Sequence, residues 1–82
     1  MNKELDVHGL DLLSAIKVIT REVQLAFKNG KSILYINHGF NHGVKIKNWC
    51  KNHGLELKHV IKVESGINEG ITIFYLKCNY LN

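Results

Sequence analysis

The residues of this 82-residue chain best suited to chemistry are histidines set beside glycines. Leu5-Asp6-Val7-His8-Gly9 lies near the start, and Ile36-Asn37-His38-Gly39-Phe40-Asn41-His42-Gly43 lies in the middle. Imidazoles titrate near neutral pH, so they can donate to a phosphate or move a proton. Asp6 stands two residues from His8, where a carboxylate can hold the ring in one orientation. Gly9, Gly39 and Gly43 let backbone approach a ligand closely and allow positive φ. These types in this pattern point to phosphodiester binding and acid-base cleavage, with Asp6, His8 and His38 as candidate catalytic residues.

Such corners need elements to hold them, and each closes a short strand and opens a helix. Glu4 to His8 reads as the first strand. Leu12, Ile16, Ile19, Val23, Ala26 and Phe27 then recur at helical steps, predicting a helix over 11–29 with Asp11 as its side-chain cap and Gly30 beyond its end. Ser32 to Asn37 is apolar and β-branched, as in a central strand. Val44, Ile46, Trp49, Cys50 and His53 form a second helical stripe, anchored by Trp49 and stopped at Gly54. Strands follow at Leu57–Val63 and Ile71–Lys77, joined by a glycine-containing hairpin loop. The order is β-α-β-α-β-β. Right-handed crossovers put both helices on one face of the sheet, giving a two-layer α/β (α+β) sandwich with its other face more open. The last two strands should be antiparallel, and the histidine corners should fall at the carboxyl ends of the first two strands, where open α/β sheets bind ligands.

Two adjacent helix N-termini would offer unpaired N–H groups to a phosphate. Gly9, Gly39, Phe40, Asn41, His42, Gly43, Lys45 and Lys47 are the candidate nucleic-acid contacts around them. Lys47 and Lys51 share one helix face, and Asn41 and Asn48 add neutral donors. The competing reading of these lysines is an ordinary solvated face. Phe40 can stack on an unpaired base or fold down over the second helix. His53 suits a helix C-terminus and His59 a strand surface. His38-x3-His42 would suit two metal ligands on a helix, but the flanking glycines make this stretch a corner instead. No cofactor is expected. Cleavage of DNA, which lacks a 2′-hydroxyl, would require an activated water and so favour a divalent metal.

Size and composition narrow the class. The chain has no proline, 45% apolar residues and a net charge of +4, which suits one small packed domain over 1–82 with polyanions as partners. No stretch has the apolar length of a membrane span, and the first residues do not resemble a signal peptide, so a cytoplasmic protein is expected. Cys50 and Cys78 lie in apolar-patterned segments and read as buried hydrophobes rather than as a disulfide or zinc pair.

The paired corners resemble the motifs of the Smr domain, the small MutS-related module. Leu5-Asp6-Val7-His8-Gly9 is similar to its LDxHG opening, and His38-Gly39 with the following turn to Gly43 is similar to its second motif. The order of elements also fits, so the resemblance spans nearly the whole chain. It implies a four-stranded mixed sheet packed on two helices, similar to the carboxyl-terminal domain of a translation initiation factor. It also implies nucleic-acid binding, with endonuclease activity that nicks or cleaves DNA or RNA in several members. Some members are domains of MutS-like proteins and others act on stalled ribosomes. Asp6 and His8 match the first functional motif, and His38, Gly39 and Gly43 the second. Asn41 and His42 depart from it, standing where the family turn carries glycine and threonine. That departure keeps open an alternative, a non-catalytic nucleic-acid- or ribosome-binding module.

Overall fold

The computed structural model describes residues 2–41 and 43–79. The chain runs β1 (Asn2–Asp6), α1 (Leu12–Lys28), β2 (Ile33–Asn37), α2 (Val44–His53), β3 (Val60–Ser65) and β4 (Ile71–Leu76). The strands form one mixed sheet in the order β1-β2-β4-β3. β1 and β2 are parallel, and β4 lies antiparallel to both β2 and β3. α1 packs on β1 and β2, α2 packs on β3 and β4, and the helices touch each other, so both cover the same face.

Alternation along the strands makes that face the core. Leu34, Ile36, Phe74 and Leu76 are buried against Ala15, Ile19, Val23 and Ala26 of α1 and Ile46 and Cys50 of α2. The intervening Ile33, Tyr35, Ile71, Ile73 and Tyr75 lie on the open face and are half-buried. Phe74 is the largest fully buried side chain, and truncating a ring of this size in a core costs about 3–5 kcal/mol. Trp49 packs at the margin of the core rather than in its centre.

Helix α1 starts at Asp11, but its carboxylate caps nothing; only the backbone carbonyl takes part, accepting from the Ala15 N–H at 2.9 Å. Its end is a Schellman turn, in which Lys31 N–H donates to the Ala26 carbonyl at 2.8 Å and Gly30 N–H to Phe27 at 3.1 Å. At the end of α2 the expectation fails differently. Gly54 has helical φ and ψ and continues into a 3₁₀ turn over Gly54–Glu56. Its glycine is needed for packing, because a Cβ there would lie 2.9 Å from Phe74 and Val63. The third strand therefore begins three residues later than its apolar pattern suggests, at Val60. His59, just before it, is in a turn at φ 80° with its ring stacked on Phe27 at 3.5 Å. Cys50 is buried, with its thiol pushed up to about 12 by desolvation, whereas Cys78 is exposed past the end of β4, contrary to its apolar setting in sequence. His53 pairs with Glu56 at 3.1 Å. Among the described residues, no helix is long and apolar enough to cross a membrane.

Candidate nucleic-acid site at the paired corners

The parallel pairing of β1 with β2 sets Asp6 opposite Asn37, so both strands end at the same level. Val7 N–H extends the ladder by one bond, to the Asn37 carbonyl at 2.9 Å, and its side chain is buried. The chain then turns away from the sheet. Asp6 Oδ1 accepts from the His8 backbone N–H at 3.1 Å and also from His8 Nδ1. His8 is therefore not a strand residue sharing a face with Asp6, as the two-residue spacing suggested; the carboxylate folds the turn and clamps the ring together. The same interactions hold the Asp6 carboxyl below its usual range, the side-chain bond from His8 contributing most. The His8 side chain keeps 65% of its surface exposed. With Nδ1 donating to a carboxylate, Nε2 is left as the basic nitrogen facing solvent, and among the described residues nothing bonds to it.

Corner two is built the opposite way. His38 is 1% exposed and both its ring nitrogens are engaged. Nδ1 lies 3.1 Å from the Gly39 carbonyl, which can only accept, so the proton is on Nδ1. Nε2 then accepts from the Thr72 hydroxyl at 2.8 Å. Desolvation in this pocket drives the imidazole pKa down, aided by the nearby Lys47 charge and opposed by the Gly39 carbonyl. The backbone is equally committed. His38 and Gly39 N–H both donate to the Gly70 carbonyl, at 2.9 and 3.1 Å, and Gly39 N–H also reaches Asn37 Oδ1 at 3.2 Å.

The glycines serve two different purposes. Gly9 and Gly39 each sit at φ 82°, which a side chain would strain. Gly43 has ordinary φ but no room, since a Cβ there would collide with the carbonyl oxygens of His38 and Gly39. The corners meet at Gly39, where an added Cβ would lie 3.4 Å from Cβ of His8. His8, Gly9, His38, Gly39, Phe40 and Asn41 line a cavity of about 290 Å³ at this junction. Neither helix that opens beside it has a side-chain cap hydrogen bond, and α2, which starts at Gly43 with no acidic residue in its first turn, leaves its positive dipole end unopposed among the described residues, whereas α1 carries the Asp11 carboxylate at its own start.

All of Asp6, His8, Gly9, His38, Gly39, Phe40 and Asn41 are thus brought to one edge. Lys45 and Lys47 follow in the first turns of α2, Lys45 exposed and Lys47 half-buried. Phe40 does not fold down over α2; it is 60% exposed. His42 lies outside the described residues. Among those described, no three His, Cys, Asp or Glu side chains group as metal ligands. Sequence reasoning missed Thr72, Asn37 and Gly70, which build corner two from the far side. Thr72 left a signal: it is a polar residue at a core-facing position, in step with Phe74 and Leu76.

No family model matches the chain, and no curated protein does. Among solved structures, the Smr domain of Thermus thermophilus MutS2 superposes with a TM-score of 0.84, covering 92% of this chain and 98% of that one at 23% identity. The chain has the Smr fold. The mixed four-stranded sheet and two helices expected from the motif resemblance are present, and in this chain the two histidine-glycine corners are neighbours because β1 and β2 are adjacent parallel strands.

Proposed function

We propose that this chain binds nucleic acid across its paired corners and cuts phosphodiester bonds there, with RNA the favoured substrate. The observation that carries the reading is the exposed His8–Asp6 pair, with one ring nitrogen oriented by a carboxylate and the other unengaged among the described residues, beside the uncapped N-terminus of α2. The Smr fold and the net charge of +4 support a nucleic-acid partner. Gly9, Gly39, Phe40, Asn41, Gly43, Lys45 and Lys47 form the contact surface, and His42 is a further candidate by its place in the sequence alone.

In this reading His8 Nε2 takes the proton of a 2′-hydroxyl, whose oxygen attacks the adjacent phosphorus. The P–O5′ bond breaks, leaving a 2′,3′-cyclic phosphate, and the departing O5′ is protonated by water at this open site. His8 returns its proton to solvent. Asp6 holds the tautomer and stabilises the imidazolium, and the α2 N-terminus and lysines balance the phosphorane charge. His38, buried and doubly bonded, positions the corner instead of exchanging protons with substrate. That only one imidazole is free among the described residues of the corners also favours a second reading, a module that binds nucleic acid, alone or on a ribosome, without cutting it.

Incubating the protein with end-labelled single-stranded RNA and with plasmid DNA, in EDTA and in magnesium, separates these. The expected result is RNA cleavage in EDTA with cyclic-phosphate ends, lost in His8→Ala without loss of binding. Binding with intact substrate under every condition would leave only the second reading.

A further inference from the structure

The cavity between the corners is poorly suited to a phosphate alone. Three of its backbone donors, the N–H groups of His8, His38 and Gly39, are already given to Asp6, Gly70 and Asn37. Its outer wall is the ring of Phe40, 60% exposed although an aromatic side chain gains more from burial than almost any other. The ring is not simply adrift. A Cβ on Gly70 would lie 3.4 Å from Phe40 Cδ2 and 3.4 Å from the Gly39 carbonyl carbon, so the hairpin backbone runs close beneath the ring. Leu10, Leu13 and Val44, which follow the two corners in sequence, are exposed as well. An apolar rim gains nothing from duplex phosphates, and a paired base has no free face to offer. An unpaired base has a π-face and needs no sequence to use it.

We infer that this cavity takes one unpaired nucleobase, stacked on Phe40 next to the phosphate held at His8, so that the ligands of this site are single strands, loops or frayed ends and not continuous duplex. The inference rests on the nucleic-acid reading of the corners but not on cleavage. The phosphate contacts of Lys45 and Lys47 are common to both kinds of strand; the Phe40 contact is made only with an unpaired one.

The test is binding of a single-stranded RNA carrying one 2-aminopurine, against a blunt duplex of the same sequence, in EDTA with the His8→Ala protein so that nothing turns over. Binding should quench the fluorophore, and the single strand should bind more tightly than the duplex. Adding Phe40→Ala should weaken single-strand binding by roughly tenfold or more while leaving duplex binding unchanged. Phe40→Leu should behave like Phe40→Ala, and Phe40→Trp should retain affinity, with thermal melting confirming that each variant is folded. Equal losses on both ligands, or none on either, would overturn the stacking site while leaving the nucleic-acid reading standing. Failure to bind any oligonucleotide at low salt would overturn both, whereas binding without cleavage by the unmutated protein touches only the cleavage proposal.

Discussion

The two corners contain the same dipeptide, His-Gly, with glycine at φ 82° in each, yet they present opposite histidines. His8 is 65% exposed at its side chain and paired to a carboxylate; His38 is 1% exposed and locked between a carbonyl and a hydroxyl. The difference comes from what lies beyond each strand. β1 is an edge strand, so among the described residues no strand flanks it on the far side, and His8 turns outward with its own Asp6 as its one described partner. β2 is interior, flanked by β4, which sets Thr72 opposite Ile36 and delivers the Gly70 carbonyl to the corner. A repeated motif thus presents one histidine to solvent and commits the other to architecture, according to its place in the sheet.

The sharpest way to break this contrast is to remove each ring. His8→Ala should lower RNA cleavage by about 10²–10⁴-fold and leave stability within about 0.5 kcal/mol, measured by single-turnover kinetics and urea melts. His38→Ala should do the reverse in stability, costing about 2–4 kcal/mol, since it opens a void and strands the Thr72 hydroxyl. If His8→Ala melted early and His38→Ala did not, the assignment of roles would be inverted.

The glycines offer the next test. Gly43→Ala should destabilise by about 3 kcal/mol or more, because its Cβ meets backbone oxygens that cannot move independently. Gly9→Ala, with nothing within 4 Å, should cost only about 1 kcal/mol for its positive φ. Similar denaturant midpoints for the two would show that corner two is looser than its packing implies.

Thr72→Val removes the donor to His38 Nε2 at nearly constant volume and should cost about 1–3 kcal/mol. A denaturation series showing no change would mean that Nε2 has another partner in solution.

The smallest effect is that of pH. Because the folded pKa of His38 is depressed below its ordinary value of 6.5, the unfolded chain binds the proton first. Stability is therefore complete above that value and declines as pH falls through the interval between the two pKa values. Melting temperatures from pH 7.5 to 5 should show this decline in the wild type and less of it in His38→Gln.

Much of this was legible in the residue order. The stripe of α1, the Schellman glycine at 30, the hairpin glycines and the LDxHG opening are local patterns, and local geometry honours them. Misreadings arose where a residue's partner is distant. Gly54 looked like a helix stop until the Phe74 ring filled the space beside it, and Cys78 looked buried because its neighbours in β4 are. Asp11 fits the cap position by type, yet its carboxylate makes no cap.

The sequence by itself determined the elements, their order and the two histidine-glycine corners, because helical periodicity, strand alternation and glycine's backbone freedom act over a few residues. Only the tertiary structure decided which histidine is free. That depended on β4 inserting between β2 and β3, which brings residues about 34 positions away in sequence under His38 and leaves His8 at an open edge. Burial and hydrogen-bond satisfaction depend on neighbours in space, and in this protein they separate an exposed imidazole from a buried, structural one.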